Sequence, residues 1–325
     1  MNRHSVYGHT YASRQPPSGT LVVGSWGVTR IYASAAVVFV VAGSATACGR
    51  IGFDPGSSSQ DARTDAMSID GPLAFGPWST PIEIAAMQTN AMDFGPTFSP
   101  DTNEVYVSQM FTGDADVYRY TRVDPTSVFG GRQAIAAVNM AVSQEGEPSL
   151  SDDGLALYFN RYAPDRIYVS TRSSVDSTAW SAPQIVTGAL DGFHSPDFAG
   201  DLRMVVTASS FVWETTRASP ADPWAPPVSL GIVGLVPCLR RDGLELLWEG
   251  AVTIAGKASV AIFRATRASV NDAFGAPERL SFGALDVAGV GDPELSHDGR
   301  QLIFSAEEVA GRGTYDIYIA ERDLE

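Results

Sequence analysis

A short motif recurs five times along most of the chain, and this repeat constrains the fold more than any other feature. Each copy has a proline, a second residue, an apolar or aromatic residue and a turn that contains aspartate. The copies begin at Pro96, Pro148, Pro196, Pro237 and Pro293, with spacings of 52, 48, 41 and 56 residues. Periods of this length are typical of folds built from one repeated supersecondary unit.

Each copy is followed by three further runs that predict strands. The first follows the turn and is rich in apolar and β-branched residues, as in LALYFN and QLIFSA, and the Asp-Gly pair before it suits a hairpin that needs positive φ. The second ends in arginine in every copy: DVYRYTR, RIYVSTR, FVWETTR, VAIFRATR and DIYIAER. The third begins with an aromatic residue, at Phe129, Trp180, Trp224 and Phe274. Four strands per unit are therefore predicted.

The last unit has no aromatic run after it, but a matching run, WSTPIEI, begins at Trp78, before the first motif. An N-terminal strand that completes the last unit would close a ring of sheets and remove the exposed edges. We predict an all-β fold, a five-bladed β-propeller of four-stranded antiparallel blades closed by this N-terminal strand. A sixth blade in the divergent loops is the alternative.

The pattern Pro-x-[Phe/Leu]-Ser-x-Asp-Gly, then an apolar strand, then Asp-Ile-Tyr, resembles the WD40-like repeat of the Tol-type (TolB-like) propellers. The resemblance covers roughly residues 75–325 and is best at 293–321 and 148–172. It is poorest in the third unit, where Ala199, Gly200 and Asp201 replace Ser-x-Asp-Gly. The resemblance implies a periplasmic or outer-membrane protein that binds partners without known catalysis.

The N-terminal segment has the pattern of a secretory signal. Residues 31–47 are uncharged, follow Arg30 and end in small residues before Cys48. A transmembrane helix is the competing interpretation, but it needs about 20 predominantly apolar residues. The stretch Ala45-Thr46-Ala47-Cys48 resembles the lipobox of bacterial lipoproteins, which implies acylation of Cys48. Ala45 stands where lipoboxes usually carry Leu, so ordinary cleavage near Ala47 is the alternative.

These features predict three segments: a signal peptide at 1–47, whose true start can lie downstream, a flexible tether at 48–73 after the lipidated Cys48, and the propeller at 74–325. The tether is predicted from its Gly/Ser/Asp-rich composition. We expect an exported lipoprotein anchored to the outer membrane, facing the periplasm or the surface. Membrane contact would run only through the lipid. The other cysteine, Cys238, leaves no pair for an intramolecular disulfide, and a monomer is expected.

The formal charge of −15 argues against a nucleic-acid partner, because phosphate binding depends on clustered Lys and Arg. The chain has no phosphate-binding glycine loop, dinucleotide fingerprint or nucleophile elbow. Its four histidines lack the spacing of metal ligands, so no cofactor and no metal-ligating residue are predicted. A bound cation such as calcium would still find oxygen ligands wherever carboxylates converge.

The loops that lead into the motif prolines line the predicted channel mouth, and they carry most of the candidate site residues. As ligand-binding candidates we take Asp93, Glu145, Glu147, Phe193, His194 and Asp292. Carboxylates beside an aromatic residue could bind sugar hydroxyls. A solvated acidic rim without function is the plainer interpretation.

The predicted function is a non-catalytic, envelope-anchored binding or scaffold propeller that contacts an envelope protein or glycan through one face. The alternative is a carbohydrate-active enzyme resembling glycoside hydrolases. In that case Asp93, Glu147 and Asp292 would be the catalytic carboxyl groups at the central channel, one protonating the leaving oxygen and another acting as nucleophile or base.

Overall fold

The computed structural model of the protein describes residues 73–111, 114–141, 143–162, 165–307 and 315–325. Within them the chain forms five sheets of four antiparallel strands each, arranged in a ring. The predicted five-bladed β-propeller is therefore confirmed. No helix in these ranges is long and apolar enough to cross a membrane. The predicted signal segment, Cys48 and nearly all of the tether lie outside the described residues.

Blades are numbered along the chain, and the strands of each are given from the axis outward. Blade 1 contains β2 (Met92–Phe98), β3 (Glu104–Phe111), β4 (Asp114–Thr121) and β5 (Gly130–Ala134). Blade 2 contains β6 (Gln144–Leu150), β7 (Ala156–Tyr162), β8 (Arg166–Thr171) and β9 (Gln184–Ile185). Blade 3 contains β10 (His194–Phe198), β11 (Arg203–Ala208), β12 (Phe211–Thr216) and β13 (Val228–Val233).

Blade 4 contains β14 (Leu235–Leu239), β15 (Glu245–Ile254), β16 (Lys257–Thr266) and β17 (Glu278–Arg279). Blade 5 contains β18 (Val290–Leu295), β19 (Gln301–Glu307), β20 (Tyr315–Glu321) and, as its outermost strand, β1 (Ile82–Glu83). Two short 3-10 helices, Ala85–Met87 and Gly283–Val287, precede the innermost strands of blades 1 and 5.

The N-terminal strand closes the ring as the sequence predicts. Ile82 lies opposite Ile319 of β20, and the amide of Ile84 donates to the carbonyl of Ile317 at 2.9 Å. Five apolar clusters hold the ring together, and each of them joins residues of two adjacent blades. Burial of apolar surface between blades is therefore the main stabilising contribution around the whole ring.

Each innermost strand has a bulge at the repeat proline. The residue before the proline adopts a left-handed conformation in all five blades, and the register of the strand pair shifts there. Proline has no N–H to donate to the ladder, so a bulge is where a strand tolerates it. These pre-proline residues are Gly95 (φ 55°), Glu147 (51°), Ser195 (51°), Val236 (43°) and Asp292 (52°). The bulge places these five residues at the propeller axis, where all of them line one cavity.

The arginine that ends the third strand of every blade has a repeated role. Its Nε donates to a backbone carbonyl of the hairpin turn in its own blade, at 2.6–2.8 Å. Its guanidinium lies over the aromatic ring that starts the fourth run, 4.3–4.9 Å from the ring centroid. The five pairs are Arg122–Phe129, Arg172–Trp180, Arg217–Trp224, Arg267–Phe274 and Arg322–Trp78. The cation–π contact of arginine and aromatic ring thus fastens the outer strand of each blade, including blade 5, where the ring comes from the N-terminal run.

Three of these arginines also bind a carboxylate of the preceding blade. Arg172 of blade 2 contacts Glu104 of blade 1 at 2.9 Å, and Arg267 of blade 4 contacts Glu214 of blade 3 at 2.7 Å. Arg322 of blade 5 contacts Glu245 of blade 4 at 2.7 Å. These guanidinium groups are almost fully buried. Removal of either partner of such an ion pair would leave an uncompensated buried charge and strongly destabilise the fold.

Substitution Arg172→Ala tests this fastening. It removes the bond to the Gly154 carbonyl, the stacking on Trp180 and one of the two arginine partners of Glu104, the other being Arg119. We expect the free energy of unfolding in urea to fall by about 3 kcal/mol. The matched control is Arg166→Ala, whose ion pair with Asp191 is largely exposed and is expected to contribute at most about 0.5 kcal/mol. Equal losses for the two variants would contradict the assigned role.

Candidate binding site at the axial mouth

The five innermost strands enclose a cavity of about 20 Å³ on the propeller axis, with room for one hydroxyl group or water molecule. Its walls are the five pre-proline residues, the five repeat prolines and the side chains of Asp197 and Glu294. Two of the predicted residues, Glu147 and Asp292, therefore lie in the same cavity although they come from blades 2 and 5. Small size and a polar lining make it a cup for part of a ligand rather than a long cleft.

Glu147 is the centre of a hydrogen-bond network on one side of this cavity. Its Oε2 accepts from Asn160 Nδ2 at 2.8 Å and from the Ser195 hydroxyl through a short hydrogen bond. The Ser195 oxygen also lies 2.9 Å from His194 Nδ1, which is 3.9 Å from Glu147 Oε2. The network joins blades 2 and 3 and keeps the carboxylate of Glu147 in one position.

Asp292 lies on the blade 5 side of the cavity and accepts a hydrogen bond from the Ser305 hydroxyl at 2.6 Å. Its neighbour Gly291 has no room for a side chain, because the carboxylate of Glu249 occupies the space a Cβ would take. Glu249 is only 1% exposed. A third acidic group thus lies next to the mouth, on the second strand of blade 4.

Glu249 belongs to a repeated polar layer that the sequence analysis missed. The second strand of every blade carries one polar residue opposite the residue two positions before the proline, and all are buried: Ser108, Asn160, Thr207, Glu249 and Ser305. Aligning the runs EVYVSQ, LALYFN, RMVVTA, ELLWEG and QLIFSA would have shown it, because each has a polar residue at this register.

Two buried polar atoms of this layer have no hydrogen-bond partner among the described residues. They are Asn160 Oδ1 and Thr207 Oγ1, and both residues are fully buried. Asn160 donates from its Nδ2 to Glu147, so its amide group lies behind that residue of the cavity wall. A buried polar group without a partner costs about 1–3 kcal/mol.

Asp93 and Glu145 lie behind the mouth, outside the cavity lining. Asp93 is fully buried and accepts from the Thr89 amide and hydroxyl and from Gln109 Nε2 at 2.5 Å. Burial raises the pKa of Asp93 to about 7, although these hydrogen bonds oppose the rise. Glu145 is also fully buried and pairs with Arg161 at 2.9 Å, and burial raises its pKa. Both carboxyl groups fix the loops that lead into their strands.

His194 lies beside Ser195 of the cavity wall, whereas Phe193 packs against the apolar cluster between blades 2 and 3. The Phe193 ring packs edge-on against Trp213, with 5.7 Å between ring centroids. The His194 side chain is 23% exposed and reaches Glu147 through Ser195. Of the six predicted ligand-binding residues, the structure thus brings Glu147 and His194 into one network, and Asp292 into the same cavity as Glu147.

Below the mouth the axis is filled. The residues directly after the five prolines converge there: Thr97, Ser149, Asp197, Cys238 and Glu294. At the far end Arg241 of blade 4 contacts Asp152 of blade 2 at 2.9 Å and His297 of blade 5 at 3.0 Å. Blades 2 and 4 are not neighbours, so this contact lies across the axis. The cavity therefore opens at the mouth described above.

No family model matches the chain, and no curated protein matches it either. Solved structures of propeller proteins do match it. A GH43 endo-arabinanase from Bacillus licheniformis is 13% identical, with 72% of this chain and 95% of that chain covered and a TM-score of 0.54. An α-L-arabinofuranosidase from Podospora anserina, in complex with cellotriose, is 12% identical, with 77% and 97% covered and a TM-score of 0.51.

TolB from Acinetobacter baumannii is 15% identical, with 73% of this chain and 56% of that chain covered and a TM-score of 0.45. The predicted resemblance to TolB is therefore one of several structural similarities, and glycoside hydrolases of the same fold are among the others. At these identities the similarity concerns the fold.

Proposed function

We propose that the protein is a non-catalytic binding propeller that takes a hydroxyl-rich part of a glycan at the axial mouth. The observation that carries this proposal is the network of Glu147, Asn160 and Ser195 beside Asp292 in one cavity. Fixed carboxylate and amide acceptors match the hydroxyl donors of a sugar. They need no rearrangement before binding, which favours affinity.

Two further features support a glycan as the ligand. The His194 ring is partly exposed beside Ser195 of the cavity wall, where it offers a flat surface to the ring face of a sugar. In addition, one of the propellers of similar fold was crystallised with cellotriose. An envelope protein is the other partner class for the same face.

Burial of the carboxyl groups argues for binding rather than hydrolysis. Glu147 is 7% exposed, Asp292 2% and Asp93 0%, and Asp93 lies outside the cavity. Glycoside hydrolysis needs two carboxyl groups that flank the scissile bond, with space for the sugar between them. A cavity of about 20 Å³ that is filled below does not offer that space.

Substitution Glu147→Gln tests the glycan site. It removes the charge but keeps an acceptor for Ser195, so the fold should persist. Loss of a charge-assisted hydrogen bond worth about 1.5–3 kcal/mol predicts roughly 10- to 150-fold weaker binding. Wild type would first be screened on an array of cell-wall oligosaccharides, and the best binder titrated by calorimetry. Glu278→Gln, on the exposed outer strand of blade 4, is the matched control.

Equal affinities of wild type and Glu147→Gln would place the ligand elsewhere. A wild type that binds no oligosaccharide but retains an envelope protein, in a pull-down that Glu147→Gln abolishes, would replace the glycan by a protein partner at the same mouth.

Hydrolysis is the second candidate, because Glu147 and Asp292 line one cavity. Wild type and the Glu147→Gln/Asp292→Asn double variant would be assayed with aryl glycosides and with arabinan. We expect both proteins to release product only at the background rate. Activity in wild type that the double variant loses would establish the hydrolase and refute the non-catalytic proposal.

We further propose that the propeller is held at the cell envelope by a lipid on Cys48, on the strength of the signal pattern and the lipobox-like residues 45–48. Cells that express wild type and grow with radiolabelled palmitate should label the protein, whereas Cys48→Ala should abolish the label. Cys238→Ala removes the other cysteine and should keep it. Labelling that survives Cys48→Ala would refute the anchor.

A further inference from the structure

Beneath the mouth, one side chain from each blade meets on the axis. We call these residues the axial hub: Thr97, Ser149, Asp197, Cys238 and Glu294, each directly after a repeat proline. Thr97 and Ser149 are hydroxyl donors, whereas Asp197 and Glu294 are acids. A polar atom each of Asp197, Cys238 and Glu294 lies within 4.8 Å of the other two. The hub therefore concentrates two carboxyl groups and a thiol in one small space.

Hydrogen bonds of the hub run between blades. Thr97 of blade 1 donates to Glu294 Oε1 of blade 5 at 2.8 Å, and Ser149 of blade 2 donates to Asp197 Oδ1 of blade 3 at 3.3 Å. The Leu239 amide of blade 4 donates to Asp197 Oδ2 at 2.6 Å, and the Leu295 amide of blade 5 donates to Cys238 Sγ at 3.1 Å. Every blade is thus tied to another one at the axis.

The carboxyl groups of Asp197 and Glu294 meet at the axis, with one oxygen of each within 4.8 Å of the other. Ionised carboxylates are acceptors only, so a hydrogen bond between these two groups requires a proton on one of them. Since Asp197 already accepts from Ser149 and the Leu239 amide, Glu294 is the better donor of the pair.

The surroundings of the pair contain no compensating cation. Among the described residues, no arginine, lysine or histidine bonds to Asp197 or Glu294. The titratable groups that face the pair are the Cys238 thiol on β14 and the acids Glu147 and Asp292, which line the same cavity from β6 and β18; Thr97 on β2 and Ser149 on β6 are neutral. Two ionised carboxylates here would repel each other with little solvent to screen them.

We propose that one proton shared by Asp197 and Glu294 is a structural part of the axial hub, and that its loss at alkaline pH loosens the ring of blades. This proposal does not depend on a glycan or on any other ligand of the mouth.

The direction of the pH dependence follows from linkage. Burial raises the pKa of both carboxyl groups above their ordinary values of 3.8 and 4.5, and for Glu294 the negative charge of Asp197 adds to the rise. The folded protein therefore binds a proton that the unfolded chain releases. The stabilisation is complete below these ordinary values and is lost as the pH rises through the raised pKa of the pair.

Substitution Glu294→Gln is the decisive test. A glutamine amide donates permanently to Asp197 and still offers an oxygen to Thr97, so it imitates the protonated acid without titrating. We would measure urea unfolding of wild type and Glu294→Gln between pH 5 and 9. The unfolding equilibrium constant of wild type should rise relative to that of the variant by up to about tenfold per pH unit while the folded protein keeps the proton, and the ratio should level off once the proton is lost. Asp93 and Glu145 titrate in both proteins, so their contributions cancel in the ratio of the two unfolding constants.

A second measurement applies even if Glu294→Gln does not fold. Infrared spectra of wild type should show the carbonyl band of a protonated carboxylic acid at pH 7, and part of this band should persist at higher pH, where Asp93, with its pKa of about 7, is ionised. The remaining band should disappear at still more alkaline pH before the protein unfolds. Parallel stability profiles of wild type and Glu294→Gln, or a wild type at pH 7 without this band, would overturn the proposal. Stability that falls on addition of EDTA would also overturn it, because a metal ion would then balance the two acids.

Discussion

The arginine that follows each third strand is the polar contact that fastens every blade, and it is buried in blades 2, 4 and 5. One guanidinium group holds three partners at once: a turn carbonyl of its own blade, an aromatic ring of the outer strand and, in three blades, a carboxylate of the preceding blade. A planar group with five donors can serve all of these together, which a lysine ammonium cannot. Hence arginine recurs in all five repeats, including the third, where the turn motif is most divergent.

The arginine and the repeat proline have different roles within each blade. The arginine fastens the outer strands, whereas the innermost strand interrupts its hydrogen-bond ladder at the proline. The resulting bulge turns two residues per blade toward the axis, one before and one after the proline. Their identities vary from blade to blade, as Gly95 and Thr97, Glu147 and Ser149, Ser195 and Asp197, Val236 and Cys238, and Asp292 and Glu294. The repeated sheets thus surround an axis whose lining residues differ from blade to blade. A binding site can form there without a change in the sheets.

Periodicity predicts the fold because turn, strand and closing arginine recur in a fixed order, and the unpaired run at Trp78 predicts the closure of the ring. Only part of the site follows from the same pattern. Glu147 and Asp93 both precede a repeat proline closely, but Glu147 is the pre-proline residue and faces the axis, whereas Asp93 lies two positions earlier and points between the strands. The bulge breaks strict alternation, so spacing alone does not separate them. Asn160 and Glu249 come from the second strand and emerge only when the five repeats are aligned by register.

Charge along the axis narrows the class of ligand that the mouth can take. Glu147, Glu249 and Asp292 lie at or beside the mouth, with Asp197 and Glu294 below, whereas the buried arginines lie at the turns and outer strands. These acids would repel a ligand that carries carboxylate or phosphate groups, and none of the described cations beside the mouth neutralises them. Neutral hydroxyl groups avoid that repulsion and donate to the acids directly, while a shared proton keeps the negative charge beneath them low. The same scarcity of cations among the described residues near the axis thus supports both the proposed neutral ligand at the mouth and the proposed proton in the hub.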